Sequence, residues 1–107
     1  WAYDIASGVW TRGPDPEAPA RQLYGMAGVT DGALVFGGGS LDGGYLNDAW
    51  MIDPATLALT PFEASGAPSP RSGATVINDA LRGRMLLFGG KNADGELADL
   101  WELSPLP

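Results

Sequence analysis

The sequence predicts an all-β fold built from antiparallel sheets of four strands, and three observations predict it. The first is internal repetition. Phe36-Gly37-Gly38 recurs 52 residues on as Phe88-Gly89-Gly90, and Asp48-Ala49-Trp50 recurs 51 residues on as Asp99-Leu100-Trp101. Periods of this size mark stacked supersecondary units. The second is the apolar run before each diglycine, residues 33–36 and 84–88. Nearly continuous apolar runs suit strands covered on both faces. The third is that no apolar stripe of helical spacing runs far before a Gly or Pro interrupts it.

In chain order, residues 1–5 match 50–54, so the chain starts partway along a strand. Trp1 falls where Trp50 and Trp101 fall, and the chain reads as a segment of a longer one. Residues 6–8 form a tight turn and 9–11 a short outer strand. Its later copy, residues 57–60, follows Asp53-Pro54, a type I turn start in which proline presets φ and aspartate bonds a following N–H. Residues 13–20 and 63–70 are proline-bearing connections unsuited to helix or central strand. Each ends before an arginine, Arg21 or Arg71.

The strands that follow, residues 24–29 and 72–77, carry small side chains suited to a crowded position. Thr30-Asp31-Gly32 turns the first copy back as a short hairpin. The second copy has a longer turn over 78–83. The glycines at 37–39 are expected to stop the second strand, leaving polar loops over 39–46 and 91–96. The third strands, 47–52 and 97–103, carry the tryptophans, and residues 104–107 end the chain before a fourth strand. Lettering the strands a to d within each repeat gives c-d, a-b-c-d, a-b-c.

Diglycine, Asp-x-Trp and the proline-then-arginine lead-in, recurring in that order, resemble the kelch repeat, the four-stranded blade of a family of β-propellers. The resemblance implies a partial propeller: 1–12 the end of one blade, 21–62 a complete blade, and 71–104 most of a third. It departs from the family at Tyr24 and Ala74, where repeats often carry histidine, and at Leu59, which stands in the place of Trp10. It further implies that a partner, most simply a protein, is bound by loops rather than that chemistry is performed. Kelch-type propellers also include copper radical oxidases and sugar epimerases. A slice of such an enzyme, with its catalytic residues elsewhere, is the alternative.

Composition narrows the function further. The formal charge of −7 opposes phosphate backbones, so nucleic acid is not expected as a partner. No apolar run approaches the roughly 20 residues of a membrane-crossing helix, so no insertion is expected. There is no cysteine and no histidine, which removes thiolate ligands, the commonest general base and the copper-oxidase ligand set. No cofactor or metal is expected, and no catalytic residue is assigned. Asn47, Asn78 and Asn92 all lack Ser or Thr two residues on, so none is a glycosylation acceptor. Residues 92–96 lack the spacing of a calcium loop.

Strand alternation sends the b–c loops and d–a connections to one face. The candidate binding residues there are Arg12, Asp15, Glu17, Tyr45, Lys91, Asn92, Asp94 and Glu96. Partners open to the segment are a protein, the remaining blades of a longer chain, or a second copy. Structural roles fall to Gly37, Gly38, Gly89 and Gly90 (positive φ and close approach), to Trp50 and Trp101 (packing), and to Asp48 and Asp99. Those two aspartates are expected to accept hydrogen bonds from glycine-turn N–H groups or from an arginine. Arg21 and Arg71 either pair with these acids or hold an anionic ligand bidentately.

Overall fold

The computed structural model describes residues 1–104 and 106, and Pro105 and Pro107, in the predicted terminal stretch, lie outside it. No α-helix occurs among the described residues, only a 3-10 turn over Ala80–Arg82. The strands are β1 (Ala2–Asp4), β2 (Val9–Thr11), β3 (Arg21–Gln22), β4 (Gly25–Val29), β5 (Gly32–Ser40), β6 (Tyr45–Ile52), β7 (Leu59–Pro61), β8 (Thr75–Asp79), β9 (Arg84–Phe88), β10 (Lys91–Asn92), β11 (Gly95–Glu96) and β12 (Leu100–Leu103). All pairings are antiparallel. β1 and β2 form a hairpin; β3 and β4 pair in turn along β5, which continues to β6 and β7; β8, β9 and β12 form a third sheet; and β10–β11 is a small hairpin within its b–c segment.

Several boundaries differ from the sequence reading. The glycines do not end β5. The strand bulges between Phe36 and Gly38 and runs on to Ser40, pairing Arg21 with Ser40 and Tyr45 with Gly39. Gly37 and Gly38, at φ 63° and 111°, turn the backbone without breaking the ladder. The b–c loop of the second sheet therefore shrinks to residues 41–44, and Tyr45 opens a strand instead of lying in a loop. The a strand of the second sheet is split in two by Leu23, at φ 54°. In the third sheet the a strand begins at Thr75 and the c strand only at Leu100. The longer a–b turn is the 3-10 segment, closed by Gly83 in the left-handed region.

The second and third sheets pack face to face. Cross-strand pairing puts Gly25, Phe36 and Ala49 on one face of the second sheet. It puts Val76, Leu87 and Trp101 on one face of the third. The two faces meet: a Cβ on Gly25 would lie 2.3 Å from a γ-methyl of Val76. The small residues of β4 thus let the two inner strands close up. The core is Leu34, Val35, Phe36 and Trp50 from one sheet, with Met85 and Leu87 from the other.

Repeat-equivalent residues are covered to different degrees, according to what packs on them among the described residues. Phe36 is 8% exposed because the third sheet covers it; Phe88 is 53% exposed because nothing described lies over that face. Trp50, in the second sheet, is 9% exposed, Trp101, on the outermost described strand of its sheet, 38%, and Trp1, just before the two-stranded hairpin, 76%. The β1–β2 hairpin is not stacked on the second sheet as the third is. Its exit at Gly13 packs against Leu57 in the c–d turn, where a Cβ would come within 2.7 Å of the leucine Cβ.

Candidate functional site

Each of the two larger sheets is closed at its b–c end by one arginine. Arg21 donates from Nη1 to Asp48 Oδ1 at 2.7 Å and from Nη2 to Oδ2 at 2.8 Å, and also reaches the carbonyls of Gly37 and Pro19. Arg71 repeats this with Asp99 at 2.6 and 2.9 Å, the Gly89 carbonyl and the Ser69 carbonyl, and adds the Ser69 hydroxyl. The strand period puts Asp48 on the same face as Trp50 in β6, and Asp99, just before β12, takes the equivalent place beside Trp101. Both indole N–H groups donate to those carboxylates, Trp50 at 2.7 Å and Trp101 at 2.6 Å.

The aspartates therefore accept from arginine and indole, while the glycines contribute carbonyls to the arginine. The anion-holding alternative for Arg71 is closed: its guanidinium N–H donors are all taken, and its side chain is 1% exposed. The backbone of Arg71 also bridges sheets, accepting from Gly38 N–H at 2.8 Å and donating to the Leu46 carbonyl at 3.0 Å.

These bonds hold both carboxyls below the usual aspartate value. For Asp48 the Arg21 bonds dominate, partly offset by desolvation and reinforced by Trp50. For Asp99 the Arg71 bonds dominate, with Trp101 next. A depressed folded pKa gives stability that is present above the unfolded value, here 3.8, and is lost as pH falls through the folded one. Acid titration followed by carboxyl carbon shifts should place both midpoints under 3.8, with unfolding stability falling in that same acid range. Midpoints at or above that value would contradict the paired geometry.

The loop end is organised around the connection over residues 62–70. Asn47 Nδ2 donates to the Pro68 carbonyl at 3.2 Å and Asn92 Nδ2 to the Pro70 carbonyl at 3.1 Å. Ser72 and Lys91 exchange backbone bonds at 2.9 Å. The c strand of the second sheet and the b–c segment of the third are therefore tied to the one connection between the sheets. Lys91, Asn92, Asp94 and Glu96 come together on the β10–β11 hairpin, where Asn92 Oδ1 accepts from the Asp94 N–H at 2.9 Å and shapes the turn. Lys91, Asp94 and Glu96 point to solvent, while Asn92 is half-buried.

Tyr45 is half-buried at the start of β6. Arg12 and Asp15 form an exposed ion pair at 2.6 Å, and Glu17 is exposed on the same connection. Arg12, Asp15 and Glu17 lie on a different connection from the β10–β11 group. The sequence reading missed Asn47 and Ser69. Asn47 has no counterpart one repeat later, where Ala98 stands, so periodicity gives it no mark.

An effect of local architecture follows. Trp50→Ala should destabilise by about 3–5 kcal/mol, as for buried aromatics. Trp101→Ala should cost less, because part of its surface is already in water. Asp94→Ala should stay within about 0.5 kcal/mol. Denaturant midpoints check this order, and equal midpoints for Trp50→Ala and Asp94→Ala would contradict the blade assignment.

No family model matches the chain. Over 86 aligned positions, covering 76% of its length, the chain is 36% identical to an F-box/kelch-repeat protein of Arabidopsis thaliana, of which it spans 18%. The chain is also 28% identical over 135 aligned positions, 94% of its length, to tip elongation aberrant protein 3 of Schizosaccharomyces pombe, of which it spans 12%. It thus covers less than a fifth of the length of either relative. The chain is similar over most of its own length to part of a kelch-repeat protein, and its all-β, antiparallel fold is that of kelch-like blades in an open, partial propeller.

Proposed function

We propose that this chain is a non-catalytic, kelch-like binding segment that presents its b–c and d–a loops to a protein partner. In this reading, residues 1–12, 21–62 and 71–104 are the blade units. The observation that carries it is the pair of asparagine bonds from Asn47 and Asn92 to the connection between sheets. They hold the connection against the c strand of the second sheet and the b–c segment of the third, and a rigid scaffold under exposed loops favours recognition. The similarity to an F-box/kelch-repeat protein supports the same reading.

Lys91, Asp94 and Glu96 give that surface both signs of charge within one small hairpin. A partner face carrying complementary charges fits it better than a polyanion does. The test is selection of protein binders from a displayed library against the immobilised chain, followed by two variants. Lys91→Glu combined with Glu96→Lys should weaken selected binders by about tenfold or more, over about 1.4 kcal/mol. Asp31→Lys, at the opposite end in the a–b turn, should leave them unchanged. Binders that ignore the first variant and respond to the second would overturn the proposal.

A further inference from the structure

Among the described residues, two that are not glycine have a left-handed backbone, Leu23 at φ 54° and Leu57 at φ 61°. In each case another copy of the repeat has glycine there: Gly73, at φ 73°, for Leu23, and Gly8, at φ 71°, for Leu57. A leucine side chain crowds its own backbone in this conformation, and glycine does not. Strain of this kind persists only where something offsets it. For Leu57 the offset is internal: the residue is half-buried and lies against Gly13. Leu23 has no such cover, being 60% exposed.

The position is open with a sheet on either side of it. Leu23 is exposed although the third sheet follows it, its carbonyl accepting from the Gly73 N–H at 2.7 Å. Gly73 has the second sheet before it, and a Cβ on Gly73 would meet nothing within 4 Å. A side chain at this place in the repeat therefore leaves the sheet into solvent. Nearby positions carry the same bias. Tyr24 and Leu41, both exposed, stand where the third sheet has Ala74 and Ala93. Leu23 lies toward the b–c end, where Arg21 pairs with Ser40, and beside Gly73, whose neighbour Ser72 is bonded to Lys91.

We infer, on the binding reading proposed above, that Leu23 is the apolar anchor for the partner, and that the partner is a protein segment presenting an apolar side chain flanked by basic ones. Burial of Leu23 against that side chain offsets the cost of its backbone conformation. The basic flank follows from charge: the b–c segments hold Asp42, Asp94 and Glu96 in the open against Lys91 alone, within a chain of −7. Gly73 leaves the third sheet without an equivalent anchor, so the contact centres on the second.

The test starts from short random peptides displayed on phage and selected against the intact chain. Selected peptides should be enriched in an apolar residue beside Lys or Arg, and their affinity should fall as salt rises. Leu23→Gly should weaken them by about tenfold or more while raising the denaturant midpoint, because glycine relieves the strain and removes the anchor. Leu23→Met, which keeps an apolar side chain, should hold affinity within about threefold. Leu57→Gly, the same exchange in the c–d turn at the opposite end, should leave affinity unchanged. A lower midpoint for Leu23→Gly would overturn the inference, because the fold itself would then be using the leucine. So would peptides indifferent to Leu23→Gly: if they respond to the Lys91 and Glu96 exchange, the loop-binding reading stands without this anchor, and if they ignore both, it falls too. Acidic peptides, or affinity that rises with salt, would overturn the basic flank.

Discussion

Phe36→Ala is expected to lower unfolding free energy by about 3–5 kcal/mol, the usual cost of emptying a buried aromatic site. Phe88→Ala, the same change one repeat later, should cost about 1 kcal/mol or less, as for other surface changes. The two residues hold the same place in the sequence repeat but different surroundings. Phe36 is 8% exposed and shares a cleft with Val76, Met85 and Leu87 of the third sheet. Phe88 is 53% exposed. The cavity left at position 36 is walled by two sheets that are already pinned together at Gly25 and Arg71, so it cannot collapse freely. That points to the upper half of the range. Chemical denaturation of both variants, with midpoints and slopes compared, measures the difference. Equal losses would mean that the third sheet does not cover the second in solution.

Arg71→Ala is also expected to have a large effect, a loss of about 3 kcal/mol, the lower end for breaking a buried ion pair. The lower end applies because the carboxylate left behind, Asp99, is 41% exposed and can be hydrated. Against that, the Gly89 carbonyl and the Ser69 hydroxyl lose a donor in a tightly packed place. Arg71→Lys should recover little of the loss. A single ammonium cannot replace a planar fork that meets Asp99, Gly89 and Ser69 together. The backbone bonds of Arg71 to Gly38 and Leu46 survive either change, so the fold should remain recognisable by far-ultraviolet circular dichroism. A lysine variant as stable as the parent would show that the fork geometry contributes nothing.

The pattern of strands was readable because it is periodic. Phe36 and Phe88, Trp50 and Trp101, and Arg21 and Arg71 mark equivalent places, and the sheets form around them. Where strands end was less readable. Gly37 and Gly38 look like a stop, since glycine clusters usually punctuate, yet their positive φ values make a bulge that lets pairing continue to Ser40. The alternatives for the two arginines could be separated only by knowing which groups surround them. Chain spacing brings Asp48 and Asp99 near, but nothing in the sequence says that carbonyls of Gly37, Gly89, Pro19 and Ser69 converge there too. The loop surface was half visible. Lys91, Asn92, Asp94 and Glu96 are close in sequence and stay close, whereas the bonds from Asn47 to Pro68 and from Asn92 to Pro70 join stretches whose proximity depends on the folded sheets.

The contact between Gly25 and Val76 has a geometric consequence. At β4 and β8 the two sheets touch almost backbone to methyl, while toward β7 and β12 they part around a gap lined by Phe62 and Leu103. They open like pages from a spine, and the bulk at this one hinge-side position sets the angle between them. A larger residue at position 25 would push the spine apart, flatten the book, and change the curvature on which any further sheet must sit.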